Sequence, residues 1–369
     1  MRFLKNLFKK EEEKPIKSYQ DFWDWFLLHE NEFYKIVKKG NGNKISTQFF
    51  DKIAPKLNEL KEGIWYLTGM LNDNIVDLIL TADGEIQNFY VIEELISAAP
   101  KLNNWKFRAL KPEHEIENVG INMAGFSFTS QNIFFYSNEL KDCPDEIDIT
   151  IIHDDYNEDN KADIINGCYL FLDNYLGELN SLTIIDNINF KQKSEAEKEL
   201  IPIEKLKSFI IWREKEFVEK YEGIRKNTEN DNFASMEATL KSGNKMVAVL
   251  NTDLLNWNAK ASHPWILIFE IKYNGENNNG FPDEETYNFL DLIEGEINSQ
   301  LKDFEGYLNI GRETSENMRE IYFACKEFRK PCKVADKILS KYSKNLEINY
   351  NIYKDKYWSS FDRFIPKDI

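Results

Sequence analysis

The most distinctive group of possible metal ligands lies in an acidic loop that follows the apolar stretch 147–152. Oxygen-bearing side chains occupy positions 1, 3, 5 and 9 of this loop, as in a calcium-binding loop. They are Asp155, Asn157, Asp159 and Asp163. Position 6 is Asn160 instead of glycine, and position 12 is Asn166 instead of a bidentate glutamate. The missing bidentate ligand favours the alternative, in which Asp159 or Asn160 caps the next helix.

A second group of charged residues lies towards the C terminus. Arg312 and Glu313 leave one predicted strand, and Arg319 and Glu320 enter the next. Two guanidinium groups so placed can bind an anion, although charges on paired strands more often form structural ion pairs. His263 is a candidate general base or, alternatively, a turn residue hydrogen-bonded to its loop. These five residues are therefore the candidate ligand-binding residues, with a structural role as the alternative.

Known catalytic motifs are absent from the sequence. The stretch Gly125–Thr129 lacks the final glycine of a hydrolase nucleophile elbow. The four histidines show neither i, i+4 spacing nor an HExxH motif, so a catalytic zinc site has little support. A cysteine–histidine pair need not be local in sequence, so that chemistry stays open. The sequence predicts no catalytic residue and no cofactor.

Composition and charge narrow the possible partners. The 369 residues carry a net charge of -16, which disfavours nucleic-acid binding and suits a basic protein partner. The four cysteines show no CxxC spacing and no signal peptide is recognisable, so we expect a cytoplasmic location. No apolar run approaches the length of a membrane span. Residues 2–10 are basic and amphipathic, which predicts either a weak peripheral membrane contact or a frayed terminus.

The elements that position these residues follow from hydrophobic periodicity. Residues 263–352 show the order strand, helix, strand, strand, helix, strand. Trp265–Tyr273 is apolar at nearly every position, as in a strand covered on both faces, whereas Leu346–Ile352 alternates as in an edge strand. A βαββαβ order is that of the ferredoxin-like split unit. The sequence therefore predicts an α+β protein with a ferredoxin-like C-terminal domain, preceded by a helix and a β-hairpin.

The domain organisation follows from the same periodicity and from one charged segment. The predicted regions are a basic N-terminal tail (1–17), an N-terminal α+β domain (18–190), a linker (191–201) and the ferredoxin-like domain (202–369). The linker is assigned because its residues are mostly charged and show no apolar period.

Six short motifs occur one after another in the C-terminal region. They are His263–Trp265, Gly280–Pro282, Gly311–Thr314, Arg319–Phe323, Asp355–Trp358 and Phe364–Pro366. Together they resemble the bacterial family called domain of unknown function 695, over the region from Asn230 to the C terminus. Residues 77–112 look like a segment of uncharacterised bacterial proteins that often carry this domain. The resemblance implies no established activity.

These features predict a non-catalytic interaction or regulatory protein whose acidic surface binds a protein partner. One alternative is a small-molecule-binding protein or enzyme that uses the region of Arg312, Arg319 and His263. Another is an immunity-type inhibitor of a basic toxin, which the net charge permits but no residue specifies.

Overall fold

The computed structural model describes residues 14–365 of the chain. The chain divides into two compact units, residues 1–111 and 112–369. This division falls inside the region 18–190 that the sequence suggests is one domain. The segment 2–10, for which a weak membrane contact is predicted, lies outside the described residues.

The first unit combines helices with a three-stranded sheet. Its elements are α1 (Tyr19–Lys38), α2 (Gly42–Ile45), a π-helical turn (Ser46–Phe50), α3 (Asp51–Leu60), β1 (Trp65–Met70), β2 (Val76–Thr81), α4 (Phe89–Ser97) and β3 (Trp105–Ala109). Strands β1 and β2 form an antiparallel hairpin, and β3 pairs parallel to β2. Ser18 caps α1 by accepting a hydrogen bond from the backbone N–H of Asp21. Phe22, Phe26 and Phe33 are fully buried, so the helical aromatic stripe marks the core face of α1.

The second unit begins with a four-stranded sheet and a separate two-stranded one. The elements of this part are β4 (Ile121–Met123), β5 (Phe126–Phe128), β6 (Ile133–Asn138), β7 (Asp148–His153), α5 (Lys161–Leu176), α6 (Glu178–Thr183), β8 (Asn187–Phe190), β9 (Ile201–Pro202) and α7 (Leu206–Tyr221). The order of the larger sheet is β8-β7-β6-β9. Strand β9 pairs with β6, so the end of the segment predicted as a linker is a strand of this sheet. Leu206 and Ile210 at the start of α7 are buried in the same core.

The remainder of the second unit is built on a six-stranded antiparallel sheet. Its elements are β10 (Phe233–Thr239), β11 (Lys245–Asn251), α8 (Thr252–Leu255), β12 (Trp265–Lys272), α9 (Glu284–Gln300), β13 (Tyr307–Ser315), β14 (Met318–Cys325), α10 (Arg329–Tyr342) and β15 (Glu347–Lys354). The strand order is β10-β11-β13-β14-β12-β15. The hairpin β10–β11 therefore extends the sheet beyond β13, while β12 lies inside the sheet and β15 at its edge.

The two faces of this sheet are covered by different parts of the chain. On one face, Ile266 and Tyr322 pack with Trp358 and Phe361 from the segment that follows β15. Helices α9 and α10 lie on the other face, where the Tyr350 hydroxyl donates to the Asp336 carboxylate at 3.2 Å. Because successive side chains of a strand point to opposite faces, each charged residue of the sheet is assigned to one covering layer or the other.

A buried ion-pair cluster joins the end of β15 to the four-stranded sheet within the second unit. The Asp186 carboxylate lies 2.8 Å from Lys354 Nζ and 2.7 Å from Lys356 Nζ. Lys356 is 1% exposed and also donates to the main-chain oxygen of Asp145 at 2.8 Å. The Tyr357 hydroxyl donates to the Asp145 carboxylate at 2.8 Å. Breaking these ion pairs would leave buried charges without partners, so the cluster stabilises the contact between the two sheets inside the unit of residues 112–369.

We expect the substitution Gly311→Ala to destabilise the protein strongly. Gly311 has φ +134° beside a bulge in β13, and a Cβ atom there would lie 2.1 Å from the main-chain oxygen of Val249. Strain and clash together should lower the free energy of unfolding by about 2–4 kcal/mol, measured by urea denaturation.

The matched control is Gly295→Ala in α9. A Cβ atom at Gly295 has no neighbour within 4 Å, and alanine should stabilise this exposed helical position by about 0.5–1 kcal/mol. Equal changes in the free energy of unfolding for the two variants would contradict the close contact between the β11 backbone and Gly311.

Candidate functional site

The two candidate arginines lie on the helix-covered face of the β13–β14 hairpin. The Arg312 guanidinium donates to the Glu294 carboxylate at 3.0 Å and to the Tyr287 hydroxyl at 3.2 Å. The Arg319 guanidinium donates to the Asp291 carboxylate at 2.7 Å and to the Thr314 hydroxyl at 3.3 Å. All these partners except Thr314 come from α9, so the arginines fasten this helix to the sheet.

Arg319 is more deeply enclosed than its partner. Its side chain is 1% exposed, whereas that of Asp291 is 40% exposed. The guanidinium carbon lies 4.8 Å from the ring centroid of Tyr287, in a cation–π arrangement. A guanidinium that is stacked, paired and enclosed in this way has a structural role in the packing of α9.

The two candidate glutamates lie on the opposite face of the hairpin. Glu313 and Glu320 are direct cross-strand partners. Glu313 is 9% exposed and lies 3.1 Å from the Arg363 guanidinium, while the Tyr322 hydroxyl donates to Glu320. The pKa of the Glu313 carboxyl is raised, mainly by burial. The positive charge of Arg363 opposes this increase in pKa, and the negative charge of Glu320 adds to it. Two carboxylates are thus held side by side by one arginine and one tyrosine.

The pleat of the strands explains why these four residues do not form one site. Arg312 and Glu313 are consecutive in β13, as Arg319 and Glu320 are in β14. Consecutive side chains project from opposite faces, so the arginines and glutamates are separated by the sheet itself. The single anion site considered from the sequence is therefore replaced by two distinct clusters.

His263 lies apart from both clusters. Trp265 pairs with Cys325 at one end of β14, whereas Ile271 pairs with Arg319 near the other end. The six residue steps from Trp265 to Ile271 span about 20 Å. His263 is fully buried. Its main-chain oxygen accepts a hydrogen bond from Trp358 Nε1 at 2.9 Å.

The tautomer of His263 follows from the hydrogen bonds of Ser262. The Ser262 hydroxyl donates to the Ala259 carbonyl at 2.6 Å, so it accepts from His263 Nδ1 at 2.8 Å. His263 Nε2 is then a bare acceptor, and no hydrogen-bond partner for it occurs among the described residues. Burial lowers the pKa of His263 to about 3, assisted by the positive charges of Lys326 and Arg225. The His263 side chain is therefore uncharged at neutral pH, and it is inaccessible to solvent.

The acidic loop between β7 and α5 uses its amide oxygens for its own turns. Asn157 Oδ1 accepts the backbone N–H of Asp159 at 3.0 Å, and Asn160 Oδ1 accepts that of Asn157 at 2.9 Å. Both amide groups also donate to the main-chain oxygen of Asp155. Asp163 lies in the first turn of α5. Asn160 holds the N-cap position of α5 but makes no side-chain capping bond there, so its side chain organises the loop instead.

Two kinds of feature are absent from residues 14–365. No three side chains of His, Cys, Asp or Glu gather in this range where they could hold a metal ion. None of its helices combines the length and apolarity needed to cross a membrane. Disulfide bonds are absent among Cys143, Cys168, Cys325 and Cys332, and the last three are buried.

Several residues that complete the two clusters were not singled out from the sequence. Asp291 and Glu294 belong to α9, where Glu294 interrupts the otherwise apolar buried stripe that includes Leu290 and Ile297. An acidic residue inside such a stripe is a usable signal for a buried ion pair. Arg363 gives no comparable signal, because its approach to the sheet depends on the path of the segment after β15.

The C-terminal part of the chain matches a known family. Residues 231–365 match the family described as "Family of unknown function (DUF695)". This confirms the resemblance for the six-stranded sheet and its covering segments, and it leaves the preceding region unassigned. Neither the comparison with curated proteins nor the comparison with solved structures gave a match. Since the family description names no activity, function has to be inferred from side-chain geometry.

We expect Asp291→Ala to cost more stability than the double substitution Asp291→Ala with Arg319→Met. The single substitution leaves a nearly buried guanidinium without its carboxylate, which should lower the free energy of unfolding by about 1–3 kcal/mol. Methionine fills a similar volume without a charge, so the double variant should recover part of that loss. Urea denaturation of the variants checks this, and an unchanged Asp291→Ala variant would contradict a structural role for the pair.

We expect His263 to make the protein less stable in mild acid. A histidine whose folded-state pKa is about 3 and whose usual value is 6.5 binds fewer protons when folded. Its contribution is therefore complete above pH 6.5 and is lost as the pH falls towards 3, by on the order of 4 kcal/mol over that window.

The variant His263→Asn keeps a donor for Ser262 but cannot titrate. Its unfolding free energy should depend less steeply on pH between about 6.5 and 4 than that of the wild type. The matched control is His114→Asn, because His114 is exposed. Equal slopes for wild type and His263→Asn would show that His263 is not the group responsible.

Proposed function

We propose that this protein is a non-catalytic interaction or regulatory module whose acidic surface binds a basic protein partner. The observation that carries this proposal is a row of glutamates across the six-stranded sheet. Glu320 is the cross-strand partner of Glu313 on one side and of Glu270 on the other. Three carboxylates on adjacent strands therefore share one face.

The row is unfavourable for the isolated protein. Like charges directly opposite each other on paired strands are destabilising. Glu313 is compensated by Arg363, and Glu320 accepts a hydrogen bond from Tyr322. In the described part of the chain, no hydrogen bond or ion pair engages the Glu270 carboxylate. A lysine or arginine from a partner would supply the missing positive charge.

The row becomes more accessible towards the edge of the sheet. Glu313 is buried, Glu320 and Glu270 are half-buried, and their neighbour Asn349 on β15 is exposed. A partner would therefore approach from the β15 side. The net charge of -16 would attract a basic protein over a longer range. A basic toxin is one partner of this kind.

The positions of the other candidate residues support a role without catalysis. The guanidinium groups of Arg312 and Arg319 are held by carboxylates of α9. The His263 ring is enclosed and lies about 20 Å along the strand from the arginines. An enzyme built on these three residues would need them to converge.

Two further proposals concern the fold and the compartment. We propose that β12 to β15 form a ferredoxin-like unit extended by β10 and β11. The order β15-β12-β14-β13 with antiparallel neighbours supports this proposal. The four cysteines form no disulfide, which is consistent with a reducing compartment, and we propose the cytoplasm.

The proposal is tested by affinity capture with the full-length protein from a native lysate. We expect a stoichiometric partner with a basic surface, and high salt should weaken its binding. After purification of that partner, the variant Glu270→Gln with Glu320→Gln should bind it about tenfold more weakly, because two carboxylates that face the partner are lost.

The matched control is Glu158→Gln with Glu219→Gln. These glutamates are exposed, lie outside the row, and carry the same total charge. The control should change the affinity by less than about twofold. The interaction hypothesis fails if no stoichiometric partner is recovered, or if both double variants bind the partner as tightly as the wild type.

A further inference from the structure

The second unit contains a cavity of about 430 Å³ beside α7, at the start of β12 and the junction of β14 with α10. Its apolar walls include Phe217 on α7, Trp265 on β12 and Phe328 before α10. Arg225 and Lys326 line the same space. The volume lies within the range of small-molecule sites, and the lining combines aromatic rings with a few charged groups, as such sites commonly do.

Arg225 and Lys326 are two cations without a carboxylate partner. Arg225 Nη1 donates to the main-chain oxygens of Glu222 and Ile224, both at 2.8 Å. Lys326 Nζ donates to the same two oxygens. Among residues 14–365, neither side chain forms an ion pair with a carboxylate. Two positive charges are thus gathered just beyond the end of α7, where they donate to main-chain oxygens and the Glu222 carboxylate offsets part of the charge effect on Lys326.

The electrostatic effect of this pair is visible in neighbouring groups. Burial lowers the pKa of Lys326, and the adjacent Arg225 lowers it further, while Glu222 acts in the opposite direction. The same two cations contribute to the low pKa of His263. In a chain with a net charge of -16, this corner of the cavity is locally electropositive.

Three other charged groups of the lining have their own partners or lie elsewhere. Lys354 is paired with Asp186. The Glu327 carboxylate accepts from the Tyr307 hydroxyl and from the backbone N–H groups at the start of α10. Glu214 lies on α7 about two helical turns before the end of the helix, and both cations lie beyond that end. The carboxylates of Glu327 and Glu214 therefore leave the positive corner available.

We propose that this cavity binds a small organic anion, with its carboxylate, phosphate or sulfonate group beside Arg225 and Lys326 and its apolar body against Phe217 and Trp265. The guanidinium and ammonium groups supply charge-assisted hydrogen bonds to the anionic group. The aromatic walls supply apolar contact area for the rest of the ligand. This site lies apart from the glutamate row and does not depend on the function proposed for it.

The test uses the full-length protein and a defined probe, anilinonaphthalene sulfonate, whose fluorescence rises in apolar surroundings. Phenylnaphthylamine has a similar aromatic body without the sulfonate and serves as the neutral comparison. We expect the anionic probe to bind at least about tenfold more tightly than the neutral one, because the sulfonate meets two unpaired cations. Inorganic phosphate should compete with the anionic probe, whereas it should leave the neutral probe unaffected.

The variant Arg225→Gln with Lys326→Met should weaken binding of the anionic probe by about tenfold and leave binding of the neutral probe unchanged. The matched control is Lys215→Gln, because Lys215 lies on the same helix, is 73% exposed and does not line the cavity. This control should change the affinity by less than about twofold.

Equal binding of the anionic probe to the double variant and the wild type would overturn the proposal, as would equal affinities of the wild type for the two probes. Thermal melts establish that each variant is folded. If the double variant does not fold, Arg225→Gln alone decides the matter, because Arg225 is exposed and its loss leaves the core intact. We then expect about threefold weaker binding of the anionic probe, and no change would overturn the proposal.

Discussion

The organisation of the second unit depends on the buried ion pairs of Asp186. This carboxylate receives Lys354 and Lys356 from the end of β15, and it also accepts the backbone N–H of Ile147 at 2.7 Å. Burial lowers the pKa of Lys356, and the neighbouring Lys354 lowers it further. An enclosed ammonium group requires its carboxylate to stay in place. Loss of one partner from a buried ion pair costs far more free energy than loss of an exposed ion pair. The four-stranded sheet and the six-stranded sheet are therefore coupled.

This coupling has consequences for the segment that follows β15. Once Lys356 is fixed, Trp358 is placed over the sheet, where its indole donates to the main-chain oxygen of His263. Phe361 packs in the same core, and Arg363 reaches the Glu313 carboxylate. The position of one buried ion pair thus fixes the path of a short piece of chain that reaches the glutamate row. The motif residues of the family-matched region act here as parts of a packing arrangement.

The distribution of charge in this acidic protein separates two kinds of surface. On the six-stranded sheet, a row of carboxylates has its uncompensated member at Glu270, near an open edge. At the other end of β14, Arg225 and Lys326 stand together without a carboxylate. Each arrangement costs the isolated molecule electrostatic free energy, and each would be relieved by an external group of opposite charge. The two proposals therefore concern different ligands and different places.

Hydrophobic periodicity alone determined most of the secondary structure. The strand–helix–strand–strand–helix–strand order, the hairpin before it, and the alternation of Ile348, Tyr350 and Ile352 on β15 were all predictable, because burial of one face imposes a period on the sequence. The family resemblance of the C-terminal part was also readable from local motifs. The two-residue period of a strand also places Arg312 and Glu313 on opposite faces of the sheet, although their proximity in sequence suggested a single site.

Only the tertiary structure decided which charged residues meet. The carboxylate partners of Arg312 and Arg319 come from α9, and the partner of Glu313 comes from the segment after β15. Arg225 and Lys326, about a hundred residues apart in the chain, donate to the same main-chain oxygen. The coupling of the two sheets of the second unit likewise depends on Asp186 and Lys356, which are far apart in the chain. Ion pairs and cavities depend on the distances between helices and strands. Hydrophobic periodicity identifies which face of each element is buried, but it does not identify the elements that pack against that face.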